Sequence, residues 1–503
     1  MSNTTTASVS RRVAMGAGWV VAWRLATRNL GLLSTLVLVR LLQPSDFGLI
    51  ALATGFIDAV DALSDICVQD ALVRVPVVDR DLYDTGFGLS VLRGVLTAAL
   101  IAALAWPIGD FFADRRLAVV MLALSAGILI SAFENIGTVH FRRELAFRKE
   151  FDMRLRSRIA SVAITIVVAV VWPSYWALVA GILVNRTARL IQSYTMSPYR
   201  PRITLRAWRR IIGFSLWTWA QAMLIQVRDR SDSVVIGRLL GATQVGIFAV
   251  GFELGTLANT EIIEPLNRAL FSGFASLHAS NKDLGGMFLN AVGLGLLLVL
   301  PVGMGISMVA DPLVRLILGA KWVAAVPVVQ IMAVAVGMTM LTSASATLLN
   351  VIGRLGPVFS VMAASTGVRV LLLLALVPTV GLPGAAAAII AATVMDLVLF
   401  LWLTLPRIDV SLRRLGSCVL RPAIATLSMV LLLWHLGMAW TPGAGQNPVQ
   451  LGLDIGIRSG LGAICYAIVL ASAWILAGRP DGAERHVLSM LHGVWERLAR
   501  RRR

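Results

Sequence analysis

Arg40-Leu-Leu-Gln-Pro-Ser-Asp-Phe-Gly48-Leu-Ile-Ala51 returns 198 residues later as Arg238-Leu-Leu-Gly-Ala-Thr-Gln-Val-Gly246-Ile-Phe-Ala249. The register holds upstream without a gap: Arg11 and Arg12 fall on Arg209 and Arg210, Trp19 on Trp217, Ala22 on Ala220 and Val37 on Val235. From 11 to 51 this makes ten identities in 41 positions, and many remaining pairs exchange one apolar residue for another. Such a repeat is longer than a solenoid unit, and in an apolar chain it marks a duplicated membrane bundle. Two homologous lobes therefore start at about 11 and 209.

The rest of the composition agrees. Apolar residues make up 57% of the 503, and charged residues only 14%, against about 25% in a typical soluble domain. Mean hydropathy is +0.80. Apolar runs of about 20 residues, each long enough to cross a hydrocarbon core of about 30 Å, recur end to end. Fourteen spans result, at about 15–39, 47–69, 85–106, 117–139, 159–172, 176–196, 211–239, 246–268, 287–309, 323–346, 357–377, 384–405, 419–440 and 454–476. The expected fold is an all-α integral membrane protein. An N-lobe of six spans fills 11–200 and a C-lobe of six more fills 201–408. Two extra spans lie in 409–478, and a basic tail fills 479–503.

The net charge of +18 would suggest nucleic acid in a soluble chain. Here the positive-inside rule accounts for it. One set of alternating loops holds Arg74, Arg80, the run from Arg142 to Arg158, Arg200 to Arg210, Lys282, Arg354 and Arg407 to Arg421. The other set, near Pro44, Asp110, Pro173, Gly241, Asp311, Pro378 and Gly443, carries few positive charges. The first set is expected on the cytoplasmic side, with both termini. The tail places Val487, Leu491, Val494 and Leu498 on one helical face, which suits an amphipathic helix on an anionic leaflet or a solvated basic tail. The first apolar run contains Arg24 and Arg28 and has no small-residue cleavage site, so it reads as a retained span. Cys67, Cys418 and Cys465 form no spaced pair, which indicates neither a disulfide framework nor a zinc site.

Ionisable residues inside spans are costly, so each is a functional candidate until paired. Arg28 and Asp58 lie about 18 Å from the outer turn of the first hairpin, and Arg24 and Asp65 lie deeper. Arg24 and Arg28 share one face at i, i+4, while Asp58, Asp61 and Asp65 share another. They read either as an ion-paired seam between spans one and two or as a cavity wall meeting an anionic headgroup. Span seven carries Arg228, Asp229, Arg230 and Asp232. No helical register hides all four from lipid, so this segment is expected to line a wet space. Arg93 stands near the middle of span three without an obvious local partner. Arg369 and Asp396 fall at similar depth in spans eleven and twelve and read as a salt bridge. Glu253, Glu261 and Glu264 of span eight are candidates for a proton or cation site, Glu253 foremost, and Glu264-Pro265 is a candidate kink. No P-loop and no H-E-x-x-H motif occurs, which argues against ATP hydrolysis and zinc-dependent hydrolysis by this chain.

The stretch from Val39 to Ala51 is similar to the first-hairpin signature of bacterial Wzx-type polysaccharide flippases, an A-R-L-L-x-P-x-D-F-G-like turn. Asp232-Ser-Val-Val-Ile-Gly-Arg-Leu-Leu-Gly241 with Val245-Gly-Ile-Phe-Ala249 resembles their second signature, and Phe141 to Phe151 their basic loop after span four. Two departures stand out. Leu270-Phe-Ser-Gly-Phe274 lacks the usual proline after span eight. Asp65-Ile-Cys-Val-Gln-Asp-Ala-Leu-Val73 replaces the usual D-x-G-L-x-x-A-L pattern.

The resemblance implies the multidrug/oligosaccharidyl-lipid/polysaccharide exporter superfamily. Its two six-helix lobes form a V around a central cavity, related by a pseudo-twofold along the membrane normal, and they rock to give alternating access. It implies an undecaprenyl-diphosphate-linked oligosaccharide as substrate, moved to the periplasmic leaflet of the bacterial inner membrane for exopolysaccharide, O-antigen or capsule assembly. A polysaccharide polymerase and an initiating glycosyltransferase are the expected protein partners. No cofactor and no metal are expected, and the coupling ion is left open between a proton, a sodium ion and none. Position and charge, not the family pattern, nominate Arg24, Arg28, Arg93, Arg228 and Arg230 as the substrate cavity. Two alternatives stay open. One is a drug/cation antiporter of the same superfamily, which the acidic set from Asp58 to Asp65 would serve. The other is a membrane-embedded glycan polymerase or ligase.

Overall fold

A computed structural model of the chain describes residues 33–64, 79–144, 146–208, 216–280, 283–443 and 447–478, with a few isolated positions beside them. The elements are almost all helical. In chain order they are α1 (Pro44–Ser64), α2 (Arg80–Phe111), α3 (Arg115–Ala132), α4 (Phe147–Val171), α5 (Trp176–Met196), α6 (Leu216–Leu240) and α7 (Ala242–Gly255). Then follow α8 (Glu264–Ala279), α9 (Leu284–Met308), α10 (Val326–Val351), α11 (Leu355–Val380), α12 (Leu382–Thr404), α13 (Leu412–His435) and α14 (Pro448–Leu476). Among the described residues, nine helices are long and apolar enough to cross a membrane. α4, α5 and α6 are also of spanning length, and all three carry charge within that length. Most of the first expected span, with Arg24 and Arg28, lies outside the described residues, as do Asp65 and the tail from 479.

The helix starts follow from local chemistry. Asp79 caps α2 by accepting from the Leu82 amide at 2.9 Å, and Asp283 caps α9 through the Gly286 amide at 3.0 Å. Asp114 caps α3 and also grips the Arg116 guanidinium at 3.0 and 2.7 Å. Each satisfies a backbone donor that lipid could not. Near Glu264-Pro265 the α-helical ladder is interrupted: α7 ends at Gly255, a π-helical turn covers Asn259–Ile263, and α8 begins with Pro265 in its first turn. There the proline's missing N–H is no loss.

By internal contacts the chain divides into residues 1–246 and 247–503. In the first unit α2 packs on α3, α4 on α5, α3 on α5, and α1 on both α3 and α6. α6, which the repeat assigns to the start of the second lobe, thus lies among the contacts of the first unit, because ancestry and packing are separate properties. In the second unit α10 packs on α9 and α12, α12 on α11, and α13 on α9 and α14. Its core gathers around Phe274, Phe288, Met340 and Leu348, all fully buried. Tyr466 of α14 donates to the Leu297 carbonyl at 2.7 Å, which ties the last helix to α9. Large apolar side chains such as Val171 (79% exposed) and Leu476 (87%) point away from the protein, as lipid-facing residues do.

The repeated turn explains itself in three dimensions. The start of α1 lies against the start of α7, both inside the first unit. A Cβ on Gly48 would run into the Ala242 carbonyl oxygen, and a Cβ on Gly246 would run into the Pro44 carbonyl oxygen. Gly246 is the repeat partner of Gly48 and Ala242 that of Pro44, so the contact is reciprocal. Both copies carry glycine because each copy's backbone occupies the other's Cβ space.

Candidate functional site

Four segments of the first unit enclose a polar cavity of about 320 Å³. α2 supplies Arg93, thirteen residues in from its start. α5 supplies Asn185, Arg186 and Arg189, within one turn of each other. α1 supplies Asp61, and the chain just past the end of α3 supplies Glu134. Three guanidiniums thus face two carboxylates, an excess of one positive charge.

Helical spacing aims these groups. Arg186 and Arg189 stand at i, i+3 on one face of α5, and Asn185 and Arg189 at i, i+4. Gly127 of α3 leaves room for the Arg186 stem, since a Cβ there would come within 3.0 Å of the Arg186 Cδ. Glu134 is fixed through its neighbour. Asn135 is fully buried: its amide donates to Ser193 Oγ at 2.9 Å and its Nδ2 to the Tyr199 carbonyl at 2.6 Å. Tyr199 in turn donates its hydroxyl to Asp84 Oδ1 at 2.7 Å, and the Arg202 amide donates to the same oxygen at 2.8 Å. Burial first, and then the Asp84 carboxylate, hold the Tyr199 phenol above its ordinary range. The Ala207 amide donates to Thr85 Oγ1 at 3.1 Å. Residues 197–208 are therefore strapped along the first turns of α2, beside the cavity.

The intramembrane charges sort themselves as follows. Arg93 has a partner after all: its Nη2 lies 3.1 Å from Asp61 Oδ1. Asp58 meets Arg230 of α6 at 2.5 Å, with the two side chains 47% and 33% exposed. Asp58 and Asp61 thus pair with α6 and α2. Arg228 is half-buried on α6 and Asp232 buried. Glu253 is exposed on α7. Arg369 and Asp396 are both buried, on the adjoining helices α11 and α12 of the second unit. Arg186, Arg189, Asn185 and Glu134 were missed by the sequence reading. Two arginines inside the apolar run Trp176–Met196 were the available signal, by the same rule that singled out Arg93.

Among the described residues no group of three or more His, Cys, Asp or Glu could hold a metal ion. A second cavity, of about 460 Å³, lies in the second unit between α9, α13 and α14. Its lining is mostly apolar, including Pro301, Ile306, Met429 and Tyr466, with Arg458 closed on Asp454 at 2.5 Å.

This arrangement of membrane helices is that of known transporters. A structure of the lipid II flippase MurJ in an inward closed conformation matches with a TM-score of 0.70, covering 91% of this chain and all of that one at 12% identity. An inward-facing multidrug resistance MATE family transporter of the MOP superfamily matches with a TM-score of 0.60, covering 76% of this chain and 94% of that one at 16% identity. The fold is thus that of the MurJ and MATE family structures. The sequence narrows it further, since the model of the family described as polysaccharide biosynthesis protein matches residues 37–327.

The chain belongs to that family, and its relatives support the resemblance to the Wzx-type polysaccharide flippases. The lipopolysaccharide biosynthesis protein WzxC of Escherichia coli (strain K12) is 24% identical over 331 residues, 65% of this chain and 67% of the relative. The succinoglycan biosynthesis transport protein ExoT of Rhizobium meliloti (strain 1021) is 22% identical over 330 residues, with the same shares. The teichuronic acid biosynthesis protein TuaB of Bacillus subtilis (strain 168) is 21% identical over 407 residues, 80% of this chain and 83% of the relative.

Proposed function

We propose that this protein moves undecaprenyl-diphosphate-linked oligosaccharides from the cytoplasmic to the periplasmic leaflet of the inner membrane by alternating access. Fourteen spans in two six-helix lobes plus two form the translocation unit, with both termini cytoplasmic. The observation that carries the reading is the cavity walled by Arg93, Arg186 and Arg189 on helices of membrane-spanning length. A diphosphate-linked glycan is a polar, anionic cargo that hydrocarbon rejects. A cavity with excess guanidinium offers it fork-shaped hydrogen bonds in place of water. The Arg230–Asp58 pair, a third and a half exposed at the middle of two membrane helices, supports a water-filled path there, because lipid does not tolerate an exposed ion pair at that depth. Membership of the polysaccharide biosynthesis family supports a glycan over a drug as cargo. So does the pairing of Asp58 and Asp61 with arginines, which leaves those carboxylates less able to receive a cationic drug.

The test is flipping of a fluorescent undecaprenyl-diphosphate oligosaccharide in proteoliposomes holding the purified chain. Protein-dependent loss of the outer-leaflet signal is the expected result. A chain that leaves this lipid in place while concentrating a cationic dye against a gradient would be an antiporter. The step uses no cofactor; imposing proton and sodium gradients in turn on the same vesicles reads which of them drives it.

A further inference from the structure

Arg186 and Arg189 share one face of α5 and one cavity, but they are held differently. Arg189 Nη2 donates to Glu134 Oε2 at 2.9 Å. Its Nε is buried and makes no hydrogen bond, and the other Glu134 oxygen, Oε1, is buried and accepts none. A guanidinium and a carboxylate at their strongest meet in two parallel bonds; here one prong on each side is idle. Arg186 makes no hydrogen bond or ion pair among the described residues, and the charges around it are Asp61, Asp58, Arg189 and Glu134. Arg189 is therefore half-engaged by Glu134, while Arg186 beside it stands among Asp61, Asp58 and Glu134 without a bond to any of them.

Glu134 also has a second place to go. It also lines a second, small cavity of about 30 Å³, together with Glu150, Arg154 and Arg189. That is space for about one or two waters. Arg154, bound to Glu150 at 2.7 Å, supplies positive charge there.

We propose that Glu134 is an internal stand-in for the anion of the cargo. In the empty cavity it occupies Arg189. A phosphate or sugar carboxylate of the cargo displaces it toward Arg154 and binds Arg186 and Arg189 together. The nature of the cargo rests on the flippase reading; the displacement itself rests on the geometry. A transporter must release what it binds, and a tethered competitor lowers the affinity of a strongly cationic site to a value from which release is fast.

The test is anion affinity of the purified full chain in nanodiscs, read with geranylgeranyl diphosphate, with dodecyl glucuronide, and with uncharged geranylgeraniol as reference. Glu134→Gln removes the competing charge and is expected to tighten anion binding about tenfold, the equivalent of about 1.4 kcal/mol. Arg186→Gln is expected to weaken it about tenfold or more, and Arg116→Gln, in a pair at the start of α3 outside the cavity, to leave it unchanged. Should Glu134→Gln not fold, Glu134→Asp, which withdraws the carboxylate by one methylene, is expected to shift affinity in the same direction. Whichever anionic probe responds to both variants names the group that is read. No anion binding above that of geranylgeraniol, unchanged or weaker binding in a folded Glu134 variant, or indifference to Arg186→Gln would each overturn the proposal. A chain that flips the oligosaccharide lipid but fails these tests keeps its function and loses this site. A chain that passes them and flips nothing keeps the site and loses the flippase reading.

Discussion

Replacing Gly48 by alanine puts one methyl group where the backbone of the opposite turn already stands. The new Cβ would overlap the Ala242 carbonyl oxygen and lie 2.7 Å from the Ala242 carbonyl carbon and 2.8 Å from the Gly246 nitrogen. Non-bonded atoms in comfortable contact are about 3.5 Å apart, and the overlap with the Ala242 oxygen is deeper than that with its carbon, so the two helix starts must separate by roughly 1.5 Å. The obstacle is main chain on both sides, which no rotamer change relieves. An overpacked contact of this kind costs about 1–3 kcal/mol. Gly246→Ala strikes the mirror-image obstacle, 2.8 Å from the Gly48 nitrogen and 2.9 Å from the Pro44 carbonyl carbon, and should cost a similar amount.

The two costs should not add. Once the helices have parted for the first methyl, the second enters space already opened, and neighbours sharing one contact couple by about 0.5–3 kcal/mol. The assay is thermal unfolding of the detergent-purified protein for wild type, both single variants and the double variant. Gly241→Ala is not a fair control, because its φ of 85° adds backbone strain of its own. Gly367→Ala, with nothing near its Cβ position, serves instead and should be near neutral. If Gly48→Ala and Gly246→Ala are as stable as wild type, or if their losses sum in the double variant, the reciprocal crossing is wrong.

Two further outcomes follow from the site. Asp84→Asn should weaken the hydrogen bonds from Tyr199 and Arg202 at a buried carboxylate. That should cost about 1.5–3 kcal/mol and release the strap, so faster amide exchange over 197–208 is expected, and unchanged exchange would show that the strap is held elsewhere. A double-mutant cycle of Arg93→Gln with Asp61→Asn should return a coupling of only about 0.2–1 kcal/mol, since the side chains are 26% and 45% exposed; a coupling of several kcal/mol would mean that the pair is shut away from water.

What sequence could determine here was set by the solvent and by helical periodicity. Runs such as Leu284–Met308 and Leu382–Thr404 can only be membrane helices, because their apolar length leaves lipid as the one compatible medium. The return of Arg40–Ala51 as Arg238–Ala249 was legible as letters, and the spacing of Asp58 and Asp61 put them on one face. The rule that intramembrane charge is expensive pointed to Arg93 and to α6, and applied to Trp176–Met196 it would have pointed to Arg186 and Arg189 as well.

Partner choice was decided only by the tertiary structure. Periodicity says which way a charge points along its own helix and nothing about which helix stands opposite. Asp58 therefore found Arg230, 172 positions away, and Asp61 found Arg93, where the sequence alone left Arg24 and Arg28 as the nearest candidates. Glu134 shows the same limit from a loop: it enters the cavity because Asn135 is bonded to Ser193 and Tyr199, contacts with no signature in the residues around it. The reciprocal fit of Gly48 and Gly246 was visible as a repeated letter, but its cause was not, because the reason for each glycine is the backbone of the other turn.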